Sequence, residues 1–440
     1  MKQKNSGRLA FTILSISLLT VMAGAAMAPA LGVIREHFSD SSNLVVQLIV
    51  SLPALFIIVT NFFFPALCRV MKTRSIAVTG LCMYVIFGAG AFFAGNIWSV
   101  LVLRALLGVS VGMIMPLSTG LLAYYFPPEE QAHLMGLSAF MNQTGGVVAT
   151  FLSGFLCTAG WNYSFLVYLL GLIALVLVVA FLPNDRISTG KDAMDSAPDS
   201  YESSEGVTVA RKKPGHPAAS MLRFAPSVIG MFLLMLLFFI FPTNFAITSL
   251  QGGALTPAEI TLIMVGLDVV AAIIGLLFGR MMKTMPRTMK YIAPVGFTLG
   301  YALFSMGTEP VWLISGSVVI GIANGVGVPY LNTIASIKGG KDAAATVMPL
   351  LSAAMFLGQF LSPLIVSPLA GLIARLCAAS HHILSNGLSE GSQELATGLL
   401  SGVTAPYIVG VVIGIIFLIQ AFCTRKYQAI SPVPTDTKAL

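Results

Sequence analysis

Two ionisable side chains, Arg104 and Asp268, lie inside long apolar stretches; the other charges fall in the gaps between such stretches. A charge at the centre of a bilayer costs at least ~2.5–3.5 kcal/mol, so such a residue faces a cavity or a partner. Asp268 sits near the middle of a predicted helix over 257–280, with Ala271, Ala272 and Gly275 on its face. Those small residues suit close contact with another helix. Burial disfavours the charged form of a carboxylate, so Asp268 is a candidate to load and release a proton. The alternative is an aspartate that locks two helices by hydrogen bonding. For Arg104, one role is to donate to backbone carbonyls freed near Pro29 in the first helix. The spacing leaves open whether the two residues meet.

Uncharged polar residues form a second group within apolar runs: Asn142, Gln143, Asn244, Asn324, Asn332 and Gln359. Ser352, Met355, Gln359 and Ser362 follow helical spacing and make one polar-tinged stripe. They either line a water-filled cavity or bond neighbouring helices. Phe241 belongs to a cluster with Phe238, Phe239 and Phe245, an adaptable wall for a hydrophobic compound or plain packing. Other chemistries lack their residues. The Gly-Lys pairs at Gly190-Lys191 and Gly340-Lys341 are each followed by Asp, so no phosphate-binding loop appears. Cys68, Cys82, Cys157, Cys377 and Cys423 stand singly, and His381-His382 has no metal-ligand spacing to another His or Cys. Neither a metal nor a cofactor is expected, and one Asp with one Arg does not make the cluster an enzyme needs.

These side chains must be held by elements that lipid covers. Charged residues are 9% of the chain, against roughly 25% in a soluble domain, and apolar residues are 56%. Twenty-four Lys plus Arg and 17 Asp plus Glu cannot coat 440 residues in water. The cations are dispersed between apolar runs, which also argues against nucleic acid as a partner. At about 20 residues per span, twelve segments qualify: 9–34, 43–66, 75–95, 97–125, 134–158, 161–182, 223–250, 257–280, 287–307, 310–337, 343–375 and 399–424. The first is too long for a cleaved signal core and reads as a retained helix. Residues 184–222 are rich in Asp, Glu, Ser, Pro and Gly and read as a linker. The expected organisation is an all-α membrane protein: a six-helix bundle over 1–183, the linker 184–222, and a second bundle over 223–440. Of the 24 cations, 21 fall on the side that holds both termini and the linker, which the positive-inside rule makes cytoplasmic. Trp98, Trp161 and Trp312 fall at the opposite, outer ends.

The halves repeat. Arg69-Val70-Met71-Lys72-Thr73 and Arg280-Met281-Met282-Lys283-Thr284 are 211 residues apart, and Gly108, Gly112 and Pro116 return as Gly321, Gly325 and Pro329 at an offset of 213. With these in hand, the sequence resembles the major facilitator superfamily, and within it the twelve-helix drug:proton antiporter-like branch. Leu103-Arg104-Ala105-Leu106-Leu107-Gly108 resembles its Arg-x-x-x-Gly motif, Phe126-Pro127-Pro128-Glu129-Glu130 its 4–5 loop, and Gly160-Trp161-Asn162-Tyr163-Ser164-Phe165 its entry to the sixth helix. Cys68 and Gly279 stand where the family's basic loops usually carry Asp, and Gly145-Gly146 lacks the proline of its antiporter signature. The resemblance implies a secondary-active transporter of a bacterial inner or plasma membrane. It would act as a monomer and move a small hydrophobic or amphipathic compound by alternating access, with protons as coupling ion and export as direction. Uptake of a small organic solute or anion is the alternative. Arg104 would then hold an anionic substrate or tune the proton site. Arg69, Lys72, Arg280 and Lys283 would form a cytoplasmic gate.

Overall fold

The computed structural model describes residues 3–184, 217–253, 255–339, 347–384 and 404–424, and all regular structure among them is helical. The first part runs through α1 (Gln3–Ala25), α2 (Leu31–His37), α3 (Asn43–Val70), α4 (Thr73–Gly90), α5 (Ile97–Tyr125) and α6 (Pro128–Leu156). A 3₁₀ segment over Trp161–Leu170 then leads into α7 (Gly171–Phe181). The second part holds α8 (Pro217–Phe238), α9 (Ile240–Gln251), α10 (Pro257–Thr284), α11 (Met289–Ser305), α12 (Pro310–Gly339), α13 (Met348–Leu384) and α14 (Ala405–Cys423). Most of the expected linker 184–222 and residues 425–440 lie outside the described residues.

Local chemistry explains the boundaries. Ser42 and Asn96 cap α3 and α5 by accepting from the amides of Val45 and Ser99. Thr256 and Glu259 close a reciprocal capping box ahead of α10, as the sequence suggests. Two expected single helices are in fact broken. Pro29 has no amide for the carbonyl of Ala25, and the first span divides into α1 and α2. Pro242, 213 residues later, does the same to Phe238, and the seventh span divides into α8 and α9 at Phe239. Ten helices among the described residues are long and apolar enough to cross a membrane. The two other expected spans fall on α6, diluted by Asn142-Gln143-Thr144-Gly145-Gly146, and on α11, which has 17 residues.

Glycines set the closest crossings, and they do so twice. A Cβ on Gly108 would lie 2.5 Å from the carbonyl oxygen of Pro53, and one on Gly321 would lie 2.9 Å from that of Leu267. One turn on, Gly112 faces Thr60 and the carbonyl of Ile57, and Gly325 faces that of Ala271. Thus α5 crosses α3 as α12 crosses α10. Gly145 of α6 sits against the carbonyl of Leu18 in α1, and Gly358 of α13 against that of Phe232 in α8. This third pair is also 213 residues apart and extends the repeat seen in the sequence. Contacts between the two parts run through α3 against α13, α6 against α10, and α2 against α9.

These crossings predict a sharp contrast. Gly145→Ala would place a methyl group 2.0 Å from the Leu18 oxygen, backbone that cannot swing aside. It should cost on the order of 1–3 kcal/mol and lower the melting temperature in detergent. Gly266→Ala, with nothing within 4 Å of the new carbon, should leave it unchanged or raise it through helix propensity. Equal melting of the two variants would refute the crossing argument.

Candidate functional site

Arg104 lies two turns into α5 and is fully buried, at 0% exposure. Its Nε donates to the carbonyl of Ile49 at 2.7 Å, Nη1 to the Tyr168 hydroxyl at 2.5 Å, and Nη2 to the carbonyl of Ala23 at 2.5 Å. Both carbonyls have a reason to lack a helical amide. Pro53 has no N–H to give Ile49 four residues back. Ala23 lies in the last turn of α1, where the helix runs out of amides. Tyr168 completes the arrangement by donating to Ala23 at 3.2 Å, with its ring 5.4 Å from the guanidinium. A planar fork with five donors can satisfy several acceptors from one point. The result ties together α1, α3, α5 and the 3₁₀ segment.

Asp268 belongs to another place. It is half-buried on α10, and its Oδ2 accepts from Thr150 Oγ1 of α6 at 3.1 Å. It therefore stands on the seam between the two parts of the chain, while the donors of Arg104 all go to the first part. The two do not meet. One helical stripe of α6 reads Gln143, Thr150, Gly154. Gly154 presses on Thr261 and Thr150 bonds Asp268, whereas Gln143 is exposed. On the facing stripe of α10, Gly275 and Gly279 are also exposed. The helices touch toward the C-terminal end of α6 and the N-terminal end of α10, and the residues of these stripes nearer their other ends are exposed.

The other expected site residues separate by role. Asn142 accepts from Thr20 Oγ1 at 2.8 Å, and Ser17 bonds Ser138 at 2.7 Å, so both residues of α6 join it to α1. Asn244 accepts from Gln47 Nε2 at 2.8 Å. Phe241 is buried and stacks on Phe245, with centroids 4.6 Å apart, and on Phe304, at 5.8 Å, in an aromatic core. Gln359 is buried with its amide nitrogen beside Gly24 at the end of α1. Asn324 is half-buried with an Oδ1 that has no partner. It lies on α12 between the residues that meet α10 (Gly321, Gly325) and those that meet α8 (Gly327, Leu331). Asn332 and Met355 are half-buried, and Arg69, Lys72, Arg280 and Lys283 are exposed. Thr150, Tyr168 and Gln47 escaped the sequence reading. Only Pro53 carried a signal, since a mid-helix proline announces a carbonyl in need of a donor.

Comparison with known proteins follows the same lines. The family profile described as Major Facilitator Superfamily matches residues 13–363. The chain is 28% identical over 141 residues to the MFS antiporter QDR3 of Candida albicans, covering 30% of this chain and 20% of that one. It is 34% identical over 68 residues to the probable anion transporter 4, chloroplastic, of Arabidopsis thaliana, covering 16% and 13%. It thus spans a fifth or less of the length of these curated relatives. Among solved structures, a bacterial homolog of the human lysosomal transporter Spinster, inward-facing and unoccupied, aligns with a TM-score of 0.73. That match has 17% identity over 98% of this chain and 100% of that one. The nucleoside transporter NupG aligns with a TM-score of 0.65 at 13% identity, over 96% and 100%.

The arginine arrangement predicts stability effects. Arg104→Met removes three buried hydrogen bonds and leaves the Ile49 carbonyl without its donor, a loss worth about 1–3 kcal/mol for that group alone, while Tyr168 still serves Ala23; it should lower the melting temperature in detergent. Arg104→Lys should fall between, because one ammonium cannot span all three. Adding Pro53→Ala, which restores an amide for Ile49, should recover part of the loss in Arg104→Met. No recovery in the double variant would contradict the pairing of Pro53 with Arg104.

Proposed function

The chain belongs to the major facilitator superfamily, and from that premise we propose that it is a proton-coupled exporter of a small hydrophobic or amphipathic compound. As a member it is a multi-pass membrane transporter and not an enzyme. In this reading twelve helices form two six-helix bundles in a bacterial plasma membrane, with both termini cytoplasmic, and the monomer rocks about a midplane site.

The observation that carries the reading is the place of Asp268. An ionisable group on the seam between rocking halves changes its surroundings whenever the halves move, which is what a proton carrier requires. Thr150 donates to the carboxylate across that seam. Protonation removes a charge from the contact and favours a closed seam, while opening toward water favours release. Contacts at the outer ends of α6 and α10, with Gln143 exposed below them, correspond to an inward-facing state. Asn324, Asn332, Met355 and Gln359 then border the cavity. Arg69, Lys72, Arg280 and Lys283 stand at the open cytoplasmic mouth.

Likeness to an antiporter supports export. Uptake of a small organic solute is the second reading, supported by the shorter match to an anion transporter. Arg104 argues against an anion held by that residue: its three donor nitrogens already have acceptors, and none of it is exposed.

In proteoliposomes with an imposed pH gradient, Asp268→Asn should lose gradient-driven movement of a panel of lipophilic compounds by at least about tenfold. Thr150→Ala should reduce it less. Full gradient-driven transport by Asp268→Asn would remove the carrier role. Overexpression should confer resistance to toxic amphipathic compounds; growth on a new nutrient instead would favour uptake.

A further inference from the structure

Gln47 lies in the first turns of α3, 2% exposed, and both ends of its amide are bonded to the other part of the chain. Nε2 donates to Asn244 Oδ1 of α9 at 2.8 Å, and Oε1 accepts from Ser367 Oγ of α13 at 2.5 Å. Asn244 has no freedom to turn its amide. Its Nδ2 donates to the carbonyl of Ile240 at 3.0 Å and to Thr243 Oγ1 at 3.1 Å, which leaves the oxygen for Gln47. Two residues further along α9, the carbonyl of Ala246 is so close to α2 that a Cβ on Gly32 would lie 2.6 Å from it.

We propose that Gln47 is a positioning residue of the transport cycle: its amide clasps α9 and α13 together and sets how rarely the outer face opens. This rests on the alternating-access reading above. The two partners differ in mechanical character. Helix α9 has 12 residues and is separated from α8 at Phe239, so it can tilt alone; α13 has 37 and moves with its neighbours. One side chain gripping both prevents α9 from opening before α13. An amide suits the task because it offers a donor and an acceptor at once. Opening exposes both groups to water, which replaces the lost bonds, so the clasp biases the equilibrium without making it irreversible. Asn244, which its sequence context suggests as a cavity residue, acts here as the clasp's receptor.

Interhelical hydrogen bonds in membrane proteins shift an equilibrium about threefold each on average, so loss of both should raise the outward-to-inward ratio on the order of eightfold. The test places spin labels on Glu36→Cys and Gln251→Cys, exposed residues at the outer ends of α2 and α9, with the five native cysteines replaced by serine. The full chain is reconstituted in lipid nanodiscs and label distances are measured. Gln47→Leu should raise the long-distance to short-distance ratio about eightfold, and Ser367→Ala, which removes one bond, about threefold. Ser17→Ala, which breaks a bond within the first part, should leave it unchanged. The clasp is overturned if the parent populates the longer distance and neither Gln47→Leu nor Ser367→Ala increases it, or if Ser17→Ala shifts it equally. Should no variant ever show the longer distance, rocking itself fails, and the clasp with it.

Discussion

A backbone carbonyl that loses its amide inside a lipid-surrounded helix must find another donor, and much of this architecture follows from that constraint. Pro53 frees Ile49, and the break before Pro29 frees Ala23; the Arg104 guanidinium answers both. The break at Phe239 is met by a neutral group instead. Tyr301 donates to the carbonyl of Leu237 at 2.5 Å. Broken helices are useful to a moving protein because their short pieces can tilt. They survive in lipid because side chains complete the backbone.

The repeat makes the choice of donor intelligible. At the glycine crossings, Gly108 faces Pro53 and Gly321 faces Leu267. Only the first part has a proline at that contact, so only it has an orphaned carbonyl there. The residue at Arg104's repeat position, 213 further on, is Ser317, whose hydroxyl donates to Leu313 of its own helix at 2.8 Å. The cation appears where the backbone lacks a donor. Asp268 has the opposite history in the repeat: the crossing register pairs it with Ala54. No backbone defect calls for a carboxylate, and Asp268 accepts from a hydroxyl of the other part. One intrahelical charge is thus accounted for by local structure, and the other by its place between parts.

Polar side chains along the seams divide in the same way. Ser17 with Ser138 and Thr20 with Asn142 join helices within one part, beside the close approach of Gly145 to Leu18. These bonds persist whatever the parts do relative to each other. Gln47 with Asn244 and Ser367, and Thr150 with Asp268, cross from one part to the other. Any relative movement of the two parts would strain these bonds. A seam within one part and a seam between parts use the same chemistry and differ only in what lies on the far side.

How much of this was legible in the sequence follows from what each feature depends on. Apolar runs, charge sorting, the Thr256–Glu259 cap and the glycine repeat are local or periodic, and hydrophobicity and backbone geometry determine them residue by residue. They were sufficient for an all-helical, multi-pass chain, for the internal duplication and for the two charges placed within helices. The roles of those charges were not readable. Arg104 reaches residues 55 and 81 positions away, and Thr150 lies 118 from Asp268, so their partners exist only once helices pack. Gln47 escaped for the same reason: an amide near a helix start looks like ordinary boundary chemistry until two distant helices close on it. Composition determined the solvent and the elements. Packing alone decided which carbonyl, carboxylate and amide would face one another, because hydrogen bonds between helices are set by crossing geometry that no single stretch of sequence contains.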